Sequence, residues 1–429
     1  MQTPVPDYLS DVLDACREPD EGDLADYIPQ LAQVNRDDFA VAISTPDGTV
    51  YRAGDCGAPF TIQSISKPFA YALALQQHGI DGVLEHVGAE PSGDAFNEIS
   101  LDPATGRPRN PMINIGAITT HGLIGEPEMD GDERFAIVRE GLSAFAGREL
   151  EVDEDVYASE LDTADRNRAL AFMARTYDRI LGDPIEVVRG YTKQCSLVVS
   201  TSDLAIMAAT LADGGVNPLS GRRVLSPEVV RQVLSVMTTC GMYDAAGDWV
   251  SSVGIPAKSG VSGGILGVLP GQVGIGVFSP PLDSFGNSVR GVRVCERLSA
   301  DMGLHLMSAA PAGPSTVREV RHRRIELDGV PRNTTIVELQ GVIHFSEGER
   351  VLRRLVALGH PDEPGADGVA LCLTRVTSFN QAGRRMLLEG IRRLSLDGYD
   401  VTLVDPDRTL PDPDAGDGVR PRVVTELPD

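Results

Sequence analysis

The sequence predicts an α/β protein in two units. The first is a large domain with a mainly antiparallel sheet and an inserted helical region; the second is a smaller α/β domain with parallel pairing. Three observations carry this. An apolar hairpin near residue 40 and a set of Gly- and Pro-separated apolar runs near 256–281 bracket a long helical stretch. The segment Ala309–Thr316 (AAPAGPST) is small, Pro- and Gly-rich and reads as a linker. Beyond it, strand-like and helix-like patterns alternate five times in about 75 residues, the signature of a parallel α/β unit.

The hairpin opens with FAVAIS (Phe39–Ser44), turns at TPDG (Thr45–Gly48) and returns through TVYRAG. In FTIQSISKPFAYALALQQHG, the apolar positions Phe69, Ala70, Ala72, Leu73 and Leu75 predict a buried helix that stops near Gly79. Residues 80–135 are rich in Gly, Pro and Asp and read as loop-rich. Helices are predicted near 134–147, 164–181 and 202–213, the last closed by Gly214 and Gly215. SPEVVRQVLSVMTT (226–239) begins with a Ser cap and a Pro in the first turn. GILGVLP and GQVGIGVFSPP read as strands, and a helix near 287–305 ends the domain, placed at 1–308. In the second domain, placed at 317–410, TTIVELQG, GVALCLTRV and YDVTLVDP are strands separated by the helices FSEGERVLRRLVALG and NQAGRRMLLEGIRRLSLDG. The tail, 411–429, is acidic and Pro-rich and is expected to fray. No internal repeat is evident.

A chain of 429 residues is too long for one ordinary core. Its net charge of −24 argues against nucleic acid and anionic membrane surfaces as partners. No apolar run is long enough to span a membrane, and the acidic N-terminus lacks the features of a signal peptide. Six scattered cysteines without a CxxC pair read as reduced thiols, so a cytoplasmic location is expected. The basic residues are almost all arginine; the only lysines are Lys67, Lys193 and Lys258. Arginine keeps its proton in a protein whereas a buried lysine can lose it, so a retained lysine is a candidate for proton chemistry.

Ser64-Ile65-Ser66-Lys67 fits S-x-x-K at the mouth of a helix, where residues three apart share a face. A hydroxyl needs a base to act as nucleophile at neutral pH, and a desolvated lysine at a helix N-terminus can supply one. Lys258-Ser259-Gly260 resembles the K-[ST]-G element of the penicillin-recognising enzymes. Thr201-Ser202-Asp203-Leu204 approaches their S-D-N element but has Leu in place of Asn. Gly260–Gly264 also satisfies G-x-S-x-G, yet the residues after it are strand-like rather than helical, which argues against Ser262 as nucleophile.

A wider resemblance covers roughly residues 20–305. ADYIPQLA (25–32), QSISKPFAYALA (63–74), NPMINIGAI (110–118), Ser159-Glu160 with Arg166-Asn167, YTKQCS (191–196), MAATLADGG (207–215), CGMYD (240–244) and PAKSGVSGGI (256–265) occur in order. These blocks resemble the serine-dependent glutaminases of the β-lactamase/transpeptidase-like fold. The resemblance implies hydrolysis of L-glutamine to L-glutamate and ammonia through a glutamyl-serine ester, with no cofactor and no metal. It implies Ser64 as nucleophile, Lys67 as its base, and Tyr243 and Tyr191 as further catalytic residues. Implied substrate contacts are Tyr27, Ser64, Asn114, Glu160, Asn167, Tyr191, Tyr243 and Val261. The chemistry agrees: a carboxylate can pair with the α-ammonium, amides and a phenol can take the α-carboxylate, and backbone N–H groups of Ser64 and Val261 can hold the oxyanion. Lys258 is read as shaping electrostatics. A homo-oligomer, dimer or tetramer, is expected. Two competing readings stay open on the residues alone: a penicillin-recognising serine hydrolase, and a non-enzymatic regulator.

The second domain resembles STAS domains. VALCLTRVTSFNQAGRRML corresponds to the stretch carrying their D-S-x-G switch, but here reads Asn380-Gln381-Ala382-Gly383: Gln381 replaces the phosphorylatable serine, which argues against a phosphorylation switch there. A protein partner docked through this domain, oligomerisation or ligand sensing are the roles this implies.

Overall fold

The computed structural model describes residues 3–18, 22–25, 28–93, 98–308, 315–327, 330–358 and 367–427. Tyr27 and most of the expected linker, 309–314, lie outside the described residues. The compact units are Leu9–Arg297 on the one hand, and Met1–Tyr8 with Leu298–Asp429 on the other.

In the first unit, strands β1 (Ala40–Ser44) and β2 (Val50–Gly54) form the expected hairpin. They join β5 (Ala257–Ser259), β6 (Gly264–Leu269) and β7 (Val273–Phe278) in an antiparallel sheet of order β2-β1-β7-β6-β5. A short ladder pairs β3 (Phe60–Thr61) with β4 (Val198–Val199). The helices are α1 (Val5–Cys16), α2 (Lys67–Leu84), α3 (Asn114–Leu123), α4 (Gly131–Ala146), α5 (Glu154–Asp162), α6 (Asp165–Thr176), α7 (Pro184–Cys195), α8 (Thr201–Ala212), α9 (Pro227–Cys240), α10 (Ala246–Ser252) and α11 (Val289–Met302). The helical insert therefore lies between β2 and β5, as the pattern of the sequence predicts.

Local chemistry sets the helix ends. Asp130 accepts from the N–H groups of Asp132 and Glu133 while Glu133 reaches back to the Asp130 N–H, a capping box that starts α4. Ser200 and Asp203 do the same for α8. Gly79, at φ 73, interrupts α2 with a kink where the sequence predicts an end, and the chain resumes helix to Leu84. α8 lies against the sheet over Gly274, where a Cβ would meet the Ala209 nitrogen at 2.2 Å; only glycine permits that approach. The core between sheet and insert is built from Phe69, Phe145, Leu204, Met207, Leu266 and their neighbours.

The helices α1, α3, α5, α7 and α10 stand where the sequence pattern placed none. Residues 80–135 are not all loop: NIGAITTHGL forms α3, whose Gly, Thr and β-branched residues hide helix propensity behind a nearly all-round buried surface. The S-D-N-like residues serve structure. Ser202 Oγ accepts from Arg52, and Asp203 is paired in bidentate fashion with Arg148 at 2.8 and 2.6 Å.

In the C-terminal unit the sheet order is β12-β11-β10-β9-β8. It contains the three expected strands, β9 (Val330–Ile343), β10 (Gly368–Phe379) and β11 (Asp400–Val404), in parallel register, with α12 (Phe345–Leu358) and α13 (Gln381–Leu396). Two further strands escape the sequence pattern. β8 (Val317–Leu327) is antiparallel to β9 and dense in arginine. β12 (Arg422–Val424) pairs parallel to β11, so the described part of the tail does not fray. Arg384 on α13 donates to the Pro411 and Asp412 carbonyls at 2.9 Å, Arg392 pairs with Asp417 at 3.0 Å, and Leu410 is buried.

Candidate active site

The β3–β4 ladder delivers the chain into a tight turn. Ile62 N–H bonds the Leu197 carbonyl at 2.8 Å, and Gln63–Ser66 form one 3-10 turn running directly into α2. Gln63 sits at φ 50, a left-handed conformation unusual for a non-glycine residue. Ser64 and Lys67 stand three apart on this turn, both buried, with Pro68 in the first turn of α2.

Lys67 Nζ donates to Asn114 Oδ1 at 2.8 Å and to the Met112 carbonyl at 3.0 Å. That carbonyl is aimed by Asn110, whose Oδ1 accepts the N–H groups of Met112 and Ile113 at 3.0 and 3.2 Å. Asn114, at the start of α3, donates through Nδ2 to Asn167 Oδ1 on α6 at 3.3 Å. Burial lowers the Lys67 ammonium to about 8.

The other wall is the β5–β6 turn. Gly260 packs so close that a Cβ there would lie 3.0 Å from Ile65 Cγ1 and 3.2 Å from the Ile62 carbonyl. Tyr243, at φ 53, donates to the Ser259 carbonyl at 3.1 Å, and its phenol is also hydrogen-bonded by Ser64. Burial raises that phenol well above its usual value. Lys258 Nζ donates to the same carbonyl at 2.6 Å and stands 4.1 Å from the Tyr243 ring centroid. Burial, with Lys67 nearby, holds Lys258 far below the ordinary lysine value. Val261 is buried in the turn, and Val261 and Tyr243 flank Gly286 together.

Glu160 on α5 accepts from Gln63 Nε2 at 2.6 Å; desolvation raises its carboxyl to about 7 against the lowering effect of that bond. Tyr191 on α7 is buried against Cys195, one turn on, and burial pushes that thiol up to about 12. Tyr243, Asn110 and Met112 also line a cavity of about 520 Å³ with Ile113, Cys240 and Val250.

The fold thus gathers Ser64, Lys67, Asn114, Glu160, Asn167, Tyr191, Tyr243 and Val261 around one centre; Tyr27 lies outside the described residues. Lys193 is elsewhere, in a partly exposed ion pair with Asp132. Ser262 is buried with its hydroxyl unpartnered among the described residues, and a strand, not a helix, comes after it. Sequence reasoning missed Gln63, Ser66, Cys195 and the Met112 carbonyl. All four lie inside the matched blocks, but nothing in those blocks set them apart from their neighbours. Among the described residues no cluster of three or more His, Cys, Asp or Glu could hold a metal ion.

The family profile described as Glutaminase matches residues 22–307. A glutaminase of Corynebacterium efficiens is 47% identical over 417 residues, 97% of this chain and 96% of that one. The chain belongs to the glutaminase family. A glutaminase of Corynebacterium glutamicum is 48% identical over 411 residues, 95% of this chain and 96% of that protein. The crystal structure of Mglu aligns with this glutaminase at a TM-score of 0.71 and 47% identity, covering 96% of this chain and all of the other. A structure of a probable glutaminase from Bacillus subtilis complexed with 6-diazo-5-oxo-L-norleucine aligns at 0.65 and 32% identity over 71% of this chain and 98% of that one. The enzyme is a glutamine amidohydrolase of mixed α/β fold. No helix among the described residues is long and apolar enough to cross a membrane.

Proposed function

We propose that this glutaminase hydrolyses L-glutamine through a glutamyl ester on Ser64. Ser64 Oγ attacks the side-chain amide carbon as Lys67 Nζ takes its proton. The N–H groups of Ser64 and Val261 stabilise the oxyanion. Collapse of the tetrahedral species breaks the C–N bond; Tyr243, in the relay with Lys67, passes a proton to the leaving ammonia. Water then attacks the ester by the reverse path, releasing glutamate. Tyr191 lines the same centre. Glu160 pairs with the α-ammonium, while Asn114, Asn167 and Tyr27 complete the α-carboxylate site.

The observation that carries this reading is the state of Lys67. Lys67 is buried beside the catalytic turn and anchored to Asn114 Oδ1 and the Met112 carbonyl. An amine held near 8 keeps a useful neutral fraction at physiological pH to take the Ser64 proton. The test is a coupled glutamate assay on wild type, Ser64→Ala and Ser262→Ala, with asparagine as control substrate. Ser64→Ala loses all activity and Ser262→Ala keeps most of it; an active Ser64→Ala enzyme refutes the assignment.

We take residues 1–308 as the catalytic domain and 317–410 as a STAS-like accessory domain that docks a protein partner. The six free cysteines support a reducing, cytoplasmic setting. Exposed Ile99, Phe172, Tyr177 and Leu181 support self-association into a homo-oligomer.

A further inference from the structure

Beneath the catalytic turn lies a buried polar chain, from His121 through Gln194 and Ser66 to Gln63, none of whose members has a part in the chemistry above. Gln63 holds its left-handed φ of 50 although it bears a side chain. Such a conformation costs free energy and persists only where the surroundings fix it. Its side chain is anchored outward, Nε2 donating to Glu160 Oε1 at 2.6 Å and to Thr61 Oγ1 at 3.1 Å. Its carbonyl is anchored inward, accepting from Ser66 Oγ at 2.7 Å. Ser66, wholly buried, accepts in turn from Gln194 Nε2 at 2.9 Å, and Gln194 Oε1 lies 2.8 Å from His121 Nδ1.

The donor order is set by the partners. Since the Gln194 amide nitrogen donates to Ser66, its oxygen accepts, so His121 carries its proton on Nδ1. Burial lowers His121 to about 3, which keeps it neutral and fixed as a donor. The chain runs one way, from His121 through Gln194 and Ser66 to the Gln63 carbonyl, which belongs to the same peptide unit as the Ser64 nitrogen. Cys195 adds a second contact to Ser66 from the Tyr191 side.

We infer that Ser66, held by Gln194 and His121, is a positioning residue: it locks the left-handed Gln63 peptide and so sets where the Ser64 hydroxyl and N–H stand. This rests on Ser64 being the nucleophile. Ser66 touches no reacting atom, so its loss slows formation of the acyl-enzyme without removing a substrate contact.

The test uses the full-length enzyme, with steady-state kinetics on glutamine and the rate of covalent labelling by 6-diazo-5-oxo-L-norleucine, the site read by peptide mass spectrometry. Ser66→Ala lowers kcat and the saturating labelling rate about tenfold, what one buried hydrogen bond of ordinary net strength is worth, with KM within about twofold. Gln194→Leu acts in the same direction and about threefold, and reads the same lock should Ser66→Ala fail to fold. Wild-type kcat and labelling rate in a folded variant overturn the inference, as does a loss confined to KM. Label on a residue other than Ser64 overturns the nucleophile assignment instead, so the two failures are separable.

Discussion

Replacing Lys67 by arginine tests the base directly, because it keeps the positive charge and removes the ability to lose a proton. Lys67 is buried with its amine lowered from 10.5 to about 8. That lowering is worth about 3 kcal/mol in favour of the neutral form and makes neutral amine more abundant at pH 7 than in free lysine by a factor on the order of 10². With a value near 8, about one lysine in ten is neutral at pH 7 and about nine in ten at pH 9. The wild-type kcat/KM therefore rises about tenfold over that interval. Positioned general bases contribute about 10²–10⁴-fold, and Lys67→Arg loses at least the lower end of that range at every pH. The assay is glutamate release monitored from pH 6 to 10 for both proteins, with circular dichroism to establish that the variant folds. A folded Lys67→Arg enzyme with more than about a tenth of wild-type activity, or a wild-type profile flat between pH 7 and 9, refutes the reasoning.

Two further perturbations read other parts of the structure. Glu160 must be ionised to pair with an ammonium, and desolvation raises its carboxyl to about 7, so KM for glutamine rises as the pH falls through that value. Glu160→Gln removes this dependence and raises KM by about 30-fold or more, the cost of stripping one member from a desolvated charge pair; a KM within threefold of wild type at pH 8 contradicts the assignment. Arg134 is wholly buried and donates to the carbonyls of Gly122, Ile124, Glu126 and Met129, closing the end of α3 and the loop into α4. Arg134→Leu orphans these acceptors and lowers unfolding stability by about 3–5 kcal/mol, measured by chemical denaturation.

What the sequence disclosed tracks how local the cause is. The β1–β2 hairpin, the helices α4, α8 and α9 and the strand–helix alternation after residue 330 are written in short-range patterns and stand close to where the pattern predicts them, whereas α5 and α7 escape it despite their Asp153 and Asp183 caps. The helix α3 was hidden because its residues are buried on nearly every side, which erases the amphipathic period. β8 was hidden because charged and polar residues, arginine above all, fill its exposed positions on consecutive residues, and β12 because three residues in a Pro-rich acidic tail give no period; both exist through pairing with β9 and β11. At the site, Ser64 and Lys67 were legible from spacing, and Lys258 from its scarcity. The Met112 carbonyl, the left-handed Gln63 and the Ser66 anchor were not, since a backbone acceptor has no residue signature and a positive φ at a glutamine is a tertiary consequence.

Trapping the acyl-enzyme is the most direct measurement. Rapid acid quench of the wild-type enzyme with saturating glutamine, then peptide mapping, is expected to find the glutamyl group on the peptide bearing Ser64, and to find none in Ser64→Ala. A glutamyl adduct on any other residue, or full turnover with no adduct under conditions where acylation outpaces hydrolysis, contradicts the account.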